Sequence, residues 1–559
     1  MELNGFTPYE KETAERYRTR RWWLGLTIGD MFDKSSDLYP DQEAVVGSGI
    51  RYTYAELRGL VDRMAYNLLQ LGLRQGDRVL LQLPNVPEFV ISYFALQKAG
   101  LIGVLLTVNH TPQEIIHLAK LTQPRGWIVP ARYRETDFLP CIEAVRGENS
   151  DLNTVVLVGD ESPGGFVRYE DLPACDEDPK TMRTVLEQSR PDPSDVCQIL
   201  PSGGTTGLPK GAPRTHEDYL CNVEYKSRAW HINVTDTCLV ATTVGHNLAL
   251  LVCITGPIFH GAKVVLLDST YPRDFCQAVQ EEKVTCAGLV PTLVSRITAF
   301  DKLREYDFDS FRRIYVGAAY SAPELVREVE DKLGCRYINA FGMVEGPCSQ
   351  TRPDSAFAIR CETIGKPVCP YDEFVTLDAE GAPTANGVEG ELAAKGPGIF
   401  TGYFNNPQAN QASFTSEGYF RTGDLAVIDA QGYIRITGRI KDIIIRGGEN
   451  IAAQLVEELI SSHPGVEYVS VIGMPHPDLG EEVCAYIQPV PGSSMTREEV
   501  IQHLRSVGAS KMHYPARIEF VDQLPLTAAG KADKKALRAD MDEKLRAESA
   551  GVYSKCGKG

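Results

Sequence analysis

The run Ser202-Gly203-Gly204-Thr205-Thr206-Gly207-Leu208-Pro209-Lys210-Gly211 sets three glycines and three hydroxyl side chains ahead of one lysine. Glycine at 203, 204 and 207 removes side chains that would hold the backbone away from an anion, so N–H groups can close around it. The hydroxyls add donors and Lys210 adds charge, which together make a cradle for phosphate. Val196 to Leu200, just before it, is apolar and strand-like, so the loop leaves the end of a strand. It is not a Walker loop, because Pro209 separates the last loop glycine from Lys210 and no serine or threonine follows the lysine. By composition alone the run is as compatible with an ordinary flexible loop as with a phosphate site.

Charged residues stand beside glycine in five later clusters: Asn339-Ala340-Phe341-Gly342-Met343-Val344-Glu345, Tyr419-Phe420-Arg421-Thr422-Gly423-Asp424, Gly438-Arg439-Ile440-Lys441-Asp442, Gly447-Gly448-Glu449-Asn450 and Pro525-Leu526-Thr527-Ala528-Ala529-Gly530-Lys531. Singly, each has a bland reading. Glu345 is then a solvated carboxylate, Asp424 an Asx-turn residue, Arg439 half of a surface ion pair, and Lys531 one solvated lysine beside Lys534 and Lys535. Zinc-ligand spacing is missing: the 14 cysteines include no C-x-x-C pair and the 10 histidines no H-E-x-x-H.

The elements that must position these residues follow from length and pattern. A chain of 559 residues with 43% hydrophobic and 23% charged side chains is a large globule with more than one domain. Its 57 basic and 74 acidic side chains leave a net charge of -17, which opposes attachment to nucleic acid or to an anionic membrane face. Met1 to Trp23 has no apolar h-region, so a secretory signal is not expected and the expected location is the cytoplasm. Phe89 to Val108 is interrupted by Gln97, Lys98 and two glycines, so it is expected to be a buried helix and strand, with no membrane insertion.

Helical spacing over Tyr54 to Leu71 alternates with short apolar runs such as Val79 to Leu83, Val264 to Leu267 and Ile314 to Val316. The expected class is α/β, with layered, mainly parallel sheets covered by helices. Turn residues at Gly390, Gly418 and Gly432 predict a β-rich subdomain. The pattern resets after Gly438, so the expected division is a large domain over 1–438 and a small α+β domain over 439–559.

Taken in order, the six motifs resemble those of the AMP-forming adenylating enzymes, the superfamily of acyl-CoA synthetases, adenylation domains and luciferase. The resemblance spans nearly the whole chain. It implies ATP and Mg2+ as cofactors, attack of a carboxylate oxygen on the α-phosphorus, and departure of pyrophosphate. Each preorganised positive group aimed at that charge is worth about 3 kcal/mol of barrier. Ser202, Gly203, Gly204, Thr205, Thr206, Gly207 and Lys210 would hold the leaving phosphates, Gly342 and Met343 would line the nucleotide site, and Glu345 would help hold magnesium. Asp424 would accept both ribose hydroxyls, since a carboxylate only accepts. Arg439 would be a further ribose or phosphate contact. Lys531 would be the adenylation lysine, acting with Lys210 and His246 in catalysis. The family's small domain rotates after adenylation about a hinge, here Lys441, bringing the loop of Gly447, Gly448 and Glu449 to the thiol.

Within that superfamily the sequence most resembles aryl-acid activators such as 2,3-dihydroxybenzoate-AMP ligases. The likeness rests on Pro213-Arg214-Thr215-His216-Glu217-Asp218-Tyr219, Gly245-His246-Asn247, Val344, and the N-terminal Gly5-Phe6-Thr7-Pro8 with Glu15-Arg16-Tyr17. It implies an acid pocket lined by His246, Asn247, Gly317, Gly342 and Val344, with Asn247 able to meet an ortho hydroxyl. Leu248-Ala249-Leu250-Leu251-Val252 departs from the family's tyrosine and serines, so the pocket should be more apolar. Benzoate, salicylate and cyclic alkene carboxylates stay open. The expected acceptor is coenzyme A, for which Gly211 is a sign, with a carrier protein's phosphopantetheine as the alternative. An oxygenase of this fold, an adenylate former without thiol transfer, and a non-catalytic relative are the rival classes.

Overall fold

Proline fixes where many helices begin. Pro87, Pro112, Pro272, Pro291 and Pro323 occupy the first helical position, where a missing N–H is harmless and φ is already helical. Thr27, Thr53, Thr111 and Thr215 cap other starts through reciprocal bonds with an acid three residues on. The computed structural model describes residues 3–159, 164–174, 177–202, 208–319, 321–446, 449–477, 479–527 and 531–556. They form two compact units, one drawn from residues 3–202, 208–374 and 394–420, the other from 375–393 and 421–556.

The first unit is built on two large sheets. One has nine strands, parallel throughout its middle from Arg336–Gly342 through Arg313–Val316, Cys286–Leu289, Thr237–Val240 and Lys263–Leu266 to Glu43–Gly47. The other has seven, with Ile102–Leu105, Arg78–Leu81, Gly126–Pro130 and Thr154–Val158 parallel at its centre. Ile102–Leu105 and Gly126–Pro130 are buried along their whole length, as strands covered on both faces must be.

The apolar stretch that begins at Phe89 is a buried helix, Pro87–Lys98, followed by the strand Ile102–Leu105. Gln97 and Lys98 reach partners inside the fold. The Gln97 amide donates to the Cys197 carbonyl at 3.3 Å, and Lys98 pairs with Asp33 at 2.6 Å and also with Asp62. Among the described residues no helix is long and apolar enough to cross a membrane.

The second unit has two sheets. A four-stranded one, ordered Glu373–Leu377, Gly390–Lys395, Phe420–Ile428 and Ile434–Arg439, takes up the turn-rich stretch predicted from Gly390, Gly418 and Gly432. The other contains Glu449–Ala452, Ile443–Arg446, Gly480–Pro489, Val466–His476 and Arg517–Phe520. The helices Ala453–Ser461 and Arg497–Ser506 bury Val456, Ile460, Val500 and Leu504 against Ile444, Val471 and Val483. Leu537 and Met541, from the last helix, pack on a separate cluster with Ile472, Cys484 and Tyr486.

Within the first unit a fully buried guanidinium joins distant segments. Arg214 donates to Asp218 Oδ1 at 2.8 Å, to the Val344 carbonyl at 3.0 Å and to the Gly398 carbonyl at 2.8 Å. Asp218 also accepts from Tyr9 at 3.0 Å and from the Thr215 backbone at 3.1 Å. Arg18 grips Glu217 with two bonds of 2.7 Å, and the Trp23 indole donates to the Pro397 carbonyl at 2.8 Å. The N-terminal segment and the Pro213–Tyr219 segment therefore occur together because one network needs both.

Asp372 lies beside this network, its Oδ1 accepting from Gly398 N at 3.0 Å and its buried Oδ2 without a partner among the described residues. Burial pushes this carboxyl up to about 7, against the Gly398 N–H and Arg214, which favour its charge. Between an unfolded value of about 4 and that value the folded chain holds a proton that the unfolded chain has lost. Stability should therefore fall as pH rises through this window, by about 1.4 kcal/mol per pH unit at most. Asp372→Asn should flatten that dependence in urea titrations between about pH 5 and 8. Tryptophan fluorescence can follow them, since Trp22, Trp23, Trp127 and Trp230 all belong to the first unit.

Candidate active site

Ser202 and Lys210 stand opposite each other as the last cross-strand pair of an antiparallel hairpin between Val196–Ser202 and Lys210–Thr215. The two ends of the predicted phosphate loop are thereby fixed. Gly203, Gly204, Thr205, Thr206 and Gly207 lie outside the described residues. The Ser202 hydroxyl donates to Glu345 Oε1 at 2.7 Å, and the Tyr403 hydroxyl donates to the same oxygen at 2.8 Å. Lys210 Nζ lies 4.2 Å from the centre of the Tyr403 ring, close enough for a cation–π attraction. Burial, and then the neighbouring Glu345, raise the Tyr403 phenol well above its ordinary value, so it stays protonated as a donor.

Glu345 itself is buried, which excludes a solvated carboxylate. Among the described residues no cluster of three His, Cys, Asp or Glu side chains could cage a metal ion. A divalent cation at Glu345 would be shared with phosphate oxygens, an arrangement that suits magnesium. Gly211 is held for a different reason than the choice of thiol: a β-carbon there would come within 2.9 Å of Ile199 Cγ2. Packing accounts for that glycine by itself.

The residues expected to line an acid pocket sit at or beyond the carboxyl ends of parallel strands, where open α/β sheets place ligands. Gly317 follows Arg313–Val316, Gly342 ends Arg336–Gly342, and His246 with Asn247 follows Thr237–Val240. Ala318, next to Gly317, has φ +74, a conformation rare for a residue with a β-carbon. Buried Asn85 sets the His246 loop by donating to the Thr242 and Leu267 carbonyls at 3.0 Å and accepting from Val244 N at 2.9 Å. Gly245, at φ +84, is obligatory, since a β-carbon would lie 2.4 Å from the Leu106 carbonyl oxygen. Leu248 N donates to His246 Nδ1 at 3.2 Å, which leaves the ring proton on Nε2.

Asn247 precedes a helical turn without capping it. Its Oδ1 accepts from the Tyr219 hydroxyl at 3.0 Å, which commits the carbonyl side of the amide to the protein and turns the NH2 side the other way. Leu248–Thr255 is a fully buried π-helix. Met343 and Val344 are partly buried against the cluster of Ile399, Phe400 and Phe420.

In the second unit, Asp424 and Arg439 are cross-strand partners, and Arg439 Nε donates to Asp424 Oδ1 at 2.6 Å. Asp424 Oδ2 is buried and has no partner among the described residues. Burial raises this carboxyl, while Arg439 and then Lys531 hold it down, so the Lys531 charge is felt at Asp424. The turn before Lys531 is closed by Thr527 N donating to the Lys531 carbonyl at 2.7 Å and by Lys531 N donating to Thr527 Oγ1 at 3.3 Å. Lys534, by contrast, is taken up by Glu457 at 2.9 Å and Asp442 at 3.4 Å.

Lys441 lies in the 3-10 turn Ile440–Asp442 between two strands, with Asp442 also bonded to Arg538 at 3.1 Å. Glu449 pairs with Arg446 across a hairpin, while Gly447 and Gly448 lie outside the described residues. Sequence reasoning missed Tyr403 and Asn85, both polar residues in otherwise unremarked stretches. Tyr219 belonged to a quoted motif without a role of its own.

The first unit holds the buried Glu345 bonded to Ser202 and Tyr403, and the second holds Asp424 paired with Arg439. The sequence matches the AMP-binding enzyme family over residues 32–404 and the AMP-binding enzyme C-terminal domain over residues 455–531. It is 36% identical over 541 residues to a salicylyl-CoA synthase / salicylate adenylyltransferase from a Streptomyces species, covering 96% of this chain and 98% of that protein. It is 35% identical over 546 residues to a 2,3-dihydroxybenzoate-AMP ligase of Bacillus subtilis (strain 168), covering 98% and 99%. The apo structure of Mycobacterium smegmatis MbtA superposes with a TM-score of 0.73 at 33% identity, covering 96% of this chain and 98% of that one. The chain belongs to the AMP-binding enzyme family.

Tyr403→Phe removes one of two hydroxyl donors from the buried Glu345 carboxylate. It should lower stability by about 1.5 to 3 kcal/mol, the range for hydrogen bonds to charged groups, as measured by urea unfolding followed through tryptophan fluorescence.

Proposed function

We propose that this chain uses ATP and Mg2+ to activate an aromatic or cyclic carboxylic acid and then passes the acyl group to a thiol. A carboxylate oxygen attacks the α-phosphorus and pyrophosphate leaves, forming the acyl-adenylate. The thiol sulfur then attacks the acyl carbon and AMP leaves. Coenzyme A is the proposed acceptor, with a carrier protein's phosphopantetheine as the alternative. The names of the relatives favour an aryl acid, since they act on salicylate and 2,3-dihydroxybenzoate.

Asp424 carries most of this reading. A buried carboxylate with one oxygen on Arg439 and the other unpartnered among the described residues is costly unless a ligand supplies the missing donor. Ribose hydroxyls are such donors. Glu345, held by Ser202 and Tyr403, would bind magnesium, whose chemistry when bound is to screen phosphate oxygens as charge passes to pyrophosphate.

Ser202 to Lys210 would hold the leaving phosphates, Gly342 and Met343 would line the nucleotide site, and Lys531 would meet the carboxylate and α-phosphate. His246 would gate the carboxylate end of the acid pocket, with Gly317, Gly342 and Val344 as walls. Residues 439–559 would turn about Lys441 between the two steps, so that Gly447, Gly448 and Glu449 follow Lys531 into the site.

The division of labour is tested on Lys531→Ala. Acid-dependent exchange of pyrophosphate into ATP should fall by about 100-fold or more, the scale of a lost transition-state charge contact. Thiolysis of supplied acyl-adenylate should stay largely intact, and equal damage to both steps would refute the assignment. Asn247→Leu should penalise salicylate more than benzoate by about 10-fold, the equivalent of one buried hydrogen bond. Equal losses would show that Asn247 does not read the ortho hydroxyl. Mass spectrometry of products formed with coenzyme A identifies the acceptor.

A further inference from the structure

Lys226 is a buried ammonium with no carboxylate partner among the described residues. It lies on the helix His216–Ala229, seven residues beyond Tyr219 and so on the same face, and Tyr219 is the residue that holds Asn247. The side chain is only 3% exposed. Its Nζ is 5.1 Å from the centre of the Tyr315 ring, and a β-carbon on Gly342 would lie 3.3 Å from Nζ and 3.6 Å from Cys348 Sγ. The surrounding wall is apolar, with Leu248, Val252, Cys253, Ala340, Tyr315 and Cys348 in one cluster.

Among the described residues no carboxylate pairs with Lys226. The acid two residues before it, Glu224, is taken by Arg228 at 2.7 Å. Burial opposes the charge on Lys226 while Cys348 and Tyr315 favour it, and the balance lies above the ordinary lysine value, so the group is cationic at neutral pH. A desolvated cation on an apolar wall weakens a fold unless something negative faces it. The Tyr315 hydroxyl and the Cys348 sulfur face the ammonium as hydrogen-bonding groups and favour its charge, but neither is a carboxylate.

We infer that Lys226 receives an oxygen acceptor carried by the acid, at the edge of the pocket formed by Tyr315, Gly342 and Cys348. The substrate class is therefore an aromatic acid with a second oxygen substituent, a hydroxyl or a further carboxylate, away from the carboxyl group that is activated. Affinity should rise from an unsubstituted ring to a neutral hydroxyl to an anionic oxygen, because charge-assisted bonds are the stronger ones. This rests on the aryl-acid reading above and adds to it a residue that selects among such acids.

The test compares pyrophosphate exchange by the full-length chain and by Lys226→Met with benzoate, 3- and 4-hydroxybenzoate, isophthalate and terephthalate. For the wild type, kcat/KM with the best oxygen-bearing acid should exceed that with benzoate by about 10- to 100-fold, the range of one charge-assisted bond. In Lys226→Met that ratio should collapse to within about threefold, through KM and not kcat, as the loss of uniform binding requires. The variant's melting temperature should not fall, because methionine fills the volume without the charge. A wild-type preference for benzoate, or an equal loss with every acid together with a lowered melting temperature, would overturn the inference and leave Lys226 a packing residue. Exchange with no aromatic acid at all would instead overturn the aryl-acid reading, and this one with it.

Discussion

The guanidinium of Arg214 is the constraint on which the first unit's site depends. It is fully buried, and its bonds reach Asp218 on the following helix, the Val344 carbonyl immediately before Glu345, and the Gly398 carbonyl. A charge so placed is tolerable only when every donor is used, and removing one partner of such a pair typically costs about 3 to 5 kcal/mol. The position of Glu345 is therefore tied to this network through the carbonyl of the residue before it. The N-terminal segment belongs to the same network through Tyr9 and Arg18, which explains why a stretch so far from the motifs in sequence travels with them.

The second unit solves the same problem differently. Asp424 and Arg439 are presented by adjacent antiparallel strands, so the pairing register of a hairpin, and not a buried web, sets their spacing. Lys531 is presented by a turn that its own backbone closes through Thr527. The lysine three residues later is tied down by Asp442 and Glu457. One ammonium is thus anchored by two carboxylates, while the charge of Lys531 is felt at Asp424.

Much of this was legible in the sequence, for identifiable reasons. Apolar runs bounded by glycine, proline or charge located the parallel strands, since such strands carry no polar face to confuse the pattern. The Pro87–Lys98 helix and Ile102–Leu105 strand emerged as expected because Gln97, Lys98 and the glycines broke a span that length alone would have allowed. Roles that depend on tertiary contact were not legible. Nothing local marks Tyr403 as a donor to Glu345, or Asn85 as the clamp on the His246 loop. Gly211, read as a sign of the acceptor thiol, is explained by its contact with Ile199, which lies on the paired strand and so could not be inferred from its neighbours in the chain.

The helix His216–Ala229 begins at the capping box of Thr215 and Asp218, which fastens it to Arg214, and carries Tyr219 and Lys226 along one face. Its anchored end lies in the Arg214 network, and its far end carries Lys226 near Gly342 and Tyr315 and Ser227 at 2.9 Å from His260. The side chain at position 226 thus stands more than a turn away from the residues that fasten the helix. A substitution at the far end therefore leaves the anchoring bonds in place, and the two ends of one helix answer to separate demands.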